Sequence, residues 1–212
     1  GIALISSLAQ LVTGHASAEV VAEHQPAKLA AMEGHFEENA PADLYLFGWV
    51  DKEAKEVTGL AIPGGTSFLT HQDFNEPIRG LDSFPQDEIP TQINAVFQFY
   101  HIMIAIGMGL IGLTILAAFY WWKGTLFDQK WLLKILVISV LLPQIANQVG
   151  WFTAEMGRQP WVVYGLLKTS NALSEVVTAN QVLFSLILFF VIYALLFTLF
   201  IYLLNKKIKH GP

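Results

Sequence analysis

The sequence predicts an all-α membrane protein: three full transmembrane helices, a partial helix ahead of them, and a long extracytoplasmic loop in between. Three observations carry this expectation. Charged residues are only 14% of the chain against 54% hydrophobic, where soluble domains carry roughly 25% charge. Three apolar runs, about 93–122, about 131–154 and about 179–205, each come near the ~20 residues that cross hydrocarbon. The charge that is present is segregated, with 14 Asp and Glu against 4 Lys and Arg in residues 19–92 and few acids after them.

Taken in order, the apolar piece Gly1–Val12 is too short to span alone. No charged stretch precedes it and no small-residue cleavage pattern follows, which argues against a signal peptide. Residues 1–18 therefore read as the outer end of a transmembrane helix whose beginning lies outside this sequence. Residues 19–92 are polar and turn-rich, with Pro26, Pro41, Pro63, Gly64-Gly65, Pro77, Pro85 and Pro90. A connection this long is functional or disordered as a rule. Within it Ala27–Phe36 reads as a short helix and 44–62 as a small hairpin. Residues 93–212 form the third region, the membrane helices.

Basic residues set the orientation. Lys123, Lys130 and Lys134 flank the link between the first two full spans, and Lys206, Lys207 and Lys209 follow the last. Both places are expected in the cytoplasm, which puts 19–92 and the 155–178 connection outside, Arg158 and Lys168 notwithstanding. The chain has no cysteine, which excludes disulfides, iron–sulfur clusters and thiolate ligation. Nothing forms a basic, aromatic-laced surface, so nucleic acid is not an expected partner.

Candidate chemistry concentrates in 143–161, PQIANQVGWFTAEMGRQPW. Gln144, Asn147 or Gln148, Trp151 and Glu155 recur every three or four residues and so share one helical stripe. Ionisable groups at the edge of hydrocarbon mark function by default; a polar seam between helices is the plain alternative. Glu155 has the chemistry to ligate a hard metal centre, relay protons or pair with Arg158. Trp151 reads either as an indole between redox groups or as a belt tryptophan. In the first full span Tyr100, Met103 and Gly107 share a face, which suits a thioether reaching a flat macrocycle, although a methionine in such a helix is commonly packing. His101 reads as a ligand, a proton carrier or a packed polar residue. His15, His24, His35 and His71 lack zinc-site spacing and are expected to be solvated or locally bonded.

GWFTAEMGRQPW, Gly150 to Trp161, closely resembles the signature of the large subunit (subunit I) of cytochrome bd-type quinol oxidases. AKLAAMEG (27–34) resembles that family's quinol-loop motif, and YHIMIAIGMG (100–109) its segment supplying a heme-ligating methionine. The resemblance covers the whole chain but only the C-terminal half of the family's subunit. It implies a multi-pass enzyme of the bacterial cytoplasmic membrane that takes electrons from quinol and reduces O2 to water, with two b-type hemes and heme d. Carried over by position, it makes Met103 the axial ligand of the low-spin heme b and Glu155 that of the high-spin heme b. Arg158 would stand at heme propionates, Trp151 between hemes, and Lys28 with Glu33 would bind and deprotonate quinol.

The resemblance also implies partners: the N-terminal half of the large subunit, a second large membrane subunit and a small single-helix subunit. The heme d ligand and the histidine opposite Met103 belong to that N-terminal half. Many family members carry Arg where this chain has His101. With the loop outside, quinol protons would be released there and protons for water drawn from the cytoplasm, building a voltage without a pump. A relative with altered hemes, or a heme-free scaffold or ion path along the Gln144–Glu155 seam, are the competing readings.

Overall fold

The computed structural model describes residues 1–174 and 176–211. It divides into two units, Gly1–Asn171 and Ala172–Pro212.

The first unit opens with helix α1, Ile2–His24, which runs past the expected boundary at residue 18. Helix α2, Pro26–Glu33, follows after a single residue. Proline suits the first helical turn because its missing N–H would be unpaired there anyway. Gly34 ends α2 with φ +75°. A side chain is excluded there twice over, since a Cβ would be strained in that conformation and would meet Val57 and Phe97. The expected helix to Phe36 therefore ends three residues earlier, closed by the Gly34 and His35 amides turning back to the Ala30 carbonyl.

The expected hairpin is present as β1, Leu44–Asp51, paired antiparallel with β2, Glu56–Ile62. Asp51 makes its turn by accepting hydrogen bonds from the Glu53 and Ala54 amides, at 2.8 and 3.0 Å. A short helix α3, Gly65–His71, comes next.

Helix α4 runs Ile93–Trp122, the span expected from hydropathy. Its N-terminal turns are buried through Ile93, Val96, Phe97, Tyr100 and His101, while its most apolar window has no buried residue. The second span comprises α5, Lys130–Ile138, a 3-10 turn at Ser139–Leu141, and α6, Leu142–Arg158. The helix thus continues past the expected end at 154, and Arg158 is its last residue rather than part of the following connection. Strands β3, Trp161–Val163, and β4, Leu167–Lys168, close a second small hairpin.

The hydrophobic core of this unit sits in the turn-rich region and not between the spans. Ala30, Ala31, Met32 and Phe36 pack with Val50, Leu81, Ile89, Ile93, Val96, Phe97 and Tyr100. Burying a residue such as Phe97 completely stabilises by about 1.5–3 kcal/mol. Lower down, α1 and α4 touch through a 2.9 Å hydrogen bond between the Ser7 and Thr114 hydroxyls.

The hairpin is fixed to α4 by a device the sequence reading missed. β1 is an edge strand, so half its backbone groups face away from β2. Asn94 accepts from the Val50 amide at 3.1 Å, and Gln98 donates to the Gly48 carbonyl at 2.7 Å. His101 Nε2 lies 2.8 Å from the Tyr45 carbonyl. Residues 94, 98 and 101 fall on one helical face, and together they complete the strand's edge.

The second unit consists of helix α7, Ala179–His210, which opens with a reciprocal cap between Thr178 and Gln181 and carries Lys207, Lys209 and His210 in its last turn. Cations at a helix C-terminus meet its negative end favourably.

Candidate functional site

Helix α2 lies against both α4 and α6. Lys28 and Glu33 are five residues apart on it, hence turned about 140° from one another, and each meets a different helix. The stem of Lys28 crosses α6 where Gly157 leaves room: a Cβ there would stand 3.1 Å from Lys28 Cγ, 3.5 Å from its Cε and 3.3 Å from Val96 Cγ1. This contact brings the ammonium into the field of Arg158 and Glu155. Burial, helped by Arg158, lowers the Lys28 pKa, and Glu155 opposes the change.

Glu33 is 3% exposed. Tyr100 of α4 stands beside its carboxylate, and Oε2 has no partner among the described residues. Burial raises the Glu33 pKa to about 7, with the neighbouring Tyr100 working the other way. His35, expected to be solvated or locally bonded, is instead buried, and its Nε2 also lacks a partner. Burial lowers its pKa to about 4 against the charge and carbonyl of Asp43. Two polar residues flanking Gly34 therefore lie in the core, where the turn carries them.

One turn below Tyr100 is Met103, partly buried in the crease between α4 and α6. Its sulfur rests on Gly150, so close that a Cβ there would stand 2.7 Å from Sδ. Gly107, a turn further along the same face, has nothing within 4 Å of the position of a Cβ. Trp151 follows Gly150 and is 58% exposed, turned off the protein rather than into it. Glu155 lies one turn beyond, its Oε2 bonded to Arg158 at 2.5 Å. The guanidinium also donates to the Val162 carbonyl at 3.2 Å, tying α6 to the β3–β4 hairpin.

His101 settles into the packed reading. Its ring stacks on Phe97 with centroids 3.9 Å apart, and both nitrogens face backbone carbonyls, of Phe97 and Tyr45. His15 pairs with Glu19, and His24 with Glu23 and the Val20 carbonyl. Among the described residues no cluster of three or more His, Cys, Asp or Glu has the arrangement to hold a metal ion.

The structure thus gathers Lys28, Glu155 and Arg158 at one crossing, puts Glu33 beside Tyr100, and seats Met103 next to Trp151's neighbour, Gly150. Sequence reasoning missed Gly150 and Gly157 as contact points and Tyr100 as a neighbour of Glu33. No sequence signal marked the glycines, because only the fold reveals the side chain opposite each.

Residues 1–212 match the family model described as cytochrome bd terminal oxidase subunit I. The chain is 33% identical to cytochrome bd ubiquinol oxidase subunit 1 of Bacillus subtilis (strain 168), over 99% of this chain and 47% of that one. It is 37% identical to the putative cytochrome bd menaquinol oxidase subunit I of the same organism, over 98% and 46% respectively. Identity to cytochrome bd-II ubiquinol oxidase subunit 1 of Escherichia coli (strain K12) is 26%, over 98% and 53%. The solved bd oxidase from Geobacillus thermodenitrificans superposes with a TM-score of 0.78 at 34% identity, covering 99% of this chain and 48% of that one. The chain spans about half the length of the curated relatives it matches.

Proposed function

The chain belongs to the cytochrome bd terminal oxidase subunit I family, and from that membership we propose that it works in a terminal oxidase of the bacterial cytoplasmic membrane, oxidising quinol and reducing O2 to water. The observation that carries this reading is the docking of α2 onto the two helices that hold Met103 and Glu155. It sets the partly buried Lys28 ammonium in the field of Glu155 and Arg158, and the buried Glu33 carboxylate beside Tyr100.

The donor set fits hemes. A thioether beside a glycine face and a carboxylate one turn from an indole would serve as heme iron ligands in a membrane, where soft and hard donors tune potential differently. Met103 would hold the low-spin heme b and Glu155 the high-spin heme b, with Arg158 at propionates and Trp151 between hemes; heme d would be held by the other half of the subunit. When bound, these groups supply one-electron transfer and the reduction of O2. The N-terminal half, a second large subunit and a small single-helix subunit complete the proposed assembly.

The residues of this chain handle the quinol proton. Glu33, poised at about 7 by burial, is matched to accept a proton near neutral pH. Lys28, desolvated between α2 and α6, offers a donor to a quinol oxygen. The core around Ala30, Ala31 and Phe97 keeps water from the carboxylate. The lysines at 123, 130 and 134 and at 206, 207 and 209 support a cytoplasmic position for those ends. The quinol loop then lies outside, where its protons are released, while protons for water come from the cytoplasm. Each charge so moved is worth about 2.3 kcal/mol per 100 mV, and a membrane potential arises without a pump.

The test is the dithionite-reduced minus oxidised spectrum of the purified complex containing this chain, with quinol-driven O2 uptake measured on the same sample. Heme b bands with a red chlorin band and uptake are expected. Heme b bands alone would point to an altered-heme relative, and a blank spectrum from a folded complex would overturn the proposal.

A further inference from the structure

Three side chains on one face of α4 grip the free edge of β1. Asn94 accepts from the Val50 amide at 3.1 Å, Gln98 donates to the Gly48 carbonyl at 2.7 Å, and His101 Nε2 lies 2.8 Å from the Tyr45 carbonyl. Gln98 also donates to the Asn94 side chain at 3.3 Å, which braces the two amides against each other. The spacing is matched. From Asn94 to Gln98 the helix rises about 6 Å, and from Val50 to Gly48 the strand runs about 6.6 Å. Beyond Gly48 an extended strand would outrun the helix, and the register shift between Tyr45 and Phe47 takes up the difference.

Met103 is on the far side of the same helix. At about 100° per residue it is turned by about 140° or more from Asn94, Gln98 and His101 alike. That far side meets α6: Met103 Sδ rests on Gly150, and Phe99, four residues before Met103 and on its face, stands 5.3 Å from Phe152 between ring centroids. Resting on the reading of Met103 as a ligand of the low-spin heme, we infer that Asn94, Gln98 and His101 are positioning residues for it: bound to β1, they fix the rotation of α4 about its own axis and so aim the methionine into the crease with α6.

Such a lock answers a physical need. The most apolar window of α4 has no buried residue, and lipid offers no hydrophobic preference between one rotation of an apolar helix and another. Hydrogen bonds are directional and select one. The strand is itself anchored, since Val50 packs in one core with Ala30, Ala31 and Met32 of α2. The segment proposed to handle quinol and the helix proposed to receive its electrons are thereby held in one frame.

The experiment is Gln98→Met in the assembled oxidase, which keeps the length of the side chain and removes its donor. Losing one hydrogen bond shifts the balance between docked and released hairpin roughly fivefold. CO captures the low-spin heme only while Met103 is off the iron, so the rate of capture should rise by about that factor. Adding Asn94→Leu should raise it further, whereas Asn94→Asp, which keeps the acceptor, should change it little. In a Met103→Leu background, where the ligand is already gone, Gln98→Met should add nothing. A reporter that needs no heme is Phe99→Cys, in a chain with no cysteine of its own; its thiol should be alkylated faster by the same factor once Gln98→Met is added. Both rates unmoved, or a further rise in CO capture on top of Met103→Leu, overturns the inference. So does a lowered thermal midpoint with neither rate changed, which would make the bonds structural only. Should Gln98→Met assemble poorly, Asn94→Leu alone supplies the same two rates. A complex that lacks hemes before any substitution defeats the ligand reading, while the alkylation rate still decides the lock.

Discussion

Gly157→Ala adds one methyl group at the point where Lys28 crosses α6. The new carbon would stand 3.1 Å from Lys28 Cγ and 3.3 Å from Val96 Cγ1, against about 3.5–4.0 Å for a relaxed carbon–carbon contact. Val96 is fully buried and has nowhere to go, so the lysine stem must yield by roughly 0.5 Å. Overpacking of this kind costs about 1–3 kcal/mol, and the gain in helix propensity from Gly to Ala returns about 1. The net loss of docking energy is therefore about 0–2 kcal/mol. The consequence falls on Lys28, the residue proposed to bind quinol, and predicts a several-fold rise in KM for quinol with heme content unchanged. The decisive assay is a double-mutant cycle with Lys28→Ala, read by quinol-driven O2 uptake and by thermal unfolding of the complex. Without the stem most of the clash is gone, so Gly157→Ala should be nearly silent there, giving a coupling of about 1 kcal/mol, a value typical of residues in contact. Equal effects of Gly157→Ala in both backgrounds would refute the claim that α2 docks on α6 through this crossing.

Three further outcomes follow from the same geometry. Gly150→Ala places a carbon 2.7 Å from Met103 Sδ, so the sulfur must move by about 1 Å; the α-band of the low-spin heme should shift or split in the redox difference spectrum, and an unchanged band would remove Met103 from the cofactor. His101→Leu leaves the Tyr45 carbonyl without its partner, which costs about 1–3 kcal/mol and should lower the thermal midpoint, whereas His101→Arg keeps a donor and should restore much of it. Glu33, whose pKa rises from 4.5 to about 7 on folding, holds its proton more tightly in the native protein than in the unfolded chain. Its contribution to stability is present below pH 4.5 and is lost as pH rises through about 7, while quinol turnover, which needs the carboxylate, rises over the same range; Glu33→Gln should flatten both profiles.

The membrane helices were legible because hydrocarbon imposes length and composition directly. The bounds of α4 follow from hydropathy alone, and 44–62 alternated enough to give its hairpin. The end of α6 was misjudged because Glu155 and Arg158 are charged, and charge reads as exit from the membrane. Their i,i+3 ion pair suits a helix surface, and the helix continues through both. The polar stripe Asn94, Gln98, His101 was also in the sequence at helical spacing. What hid its meaning is that its partners are backbone groups of β1, some fifty residues away, and backbone carries no sequence signal. His35 was misread for a related reason: its burial depends on the turn at Gly34, a property of φ rather than of residue type.

The location of the core explains why the loop governs the site. Between helices in lipid there is no hydrophobic driving force, since the surrounding chains are as apolar as leucine. Water supplies that force only where the protein meets it, and in this unit the packed core lies in the turn-rich region and the first turns of α4. The loop is thus the part with the energy to fix the positions of α4 and α6 near their functional ends. Lys28 on Gly157 and Tyr100 beside Glu33 are consequences of that packing as much as they are chemistry. Core substitutions such as those at Ala30 or Phe97 are accordingly expected to disturb quinol handling before they disturb the membrane spans.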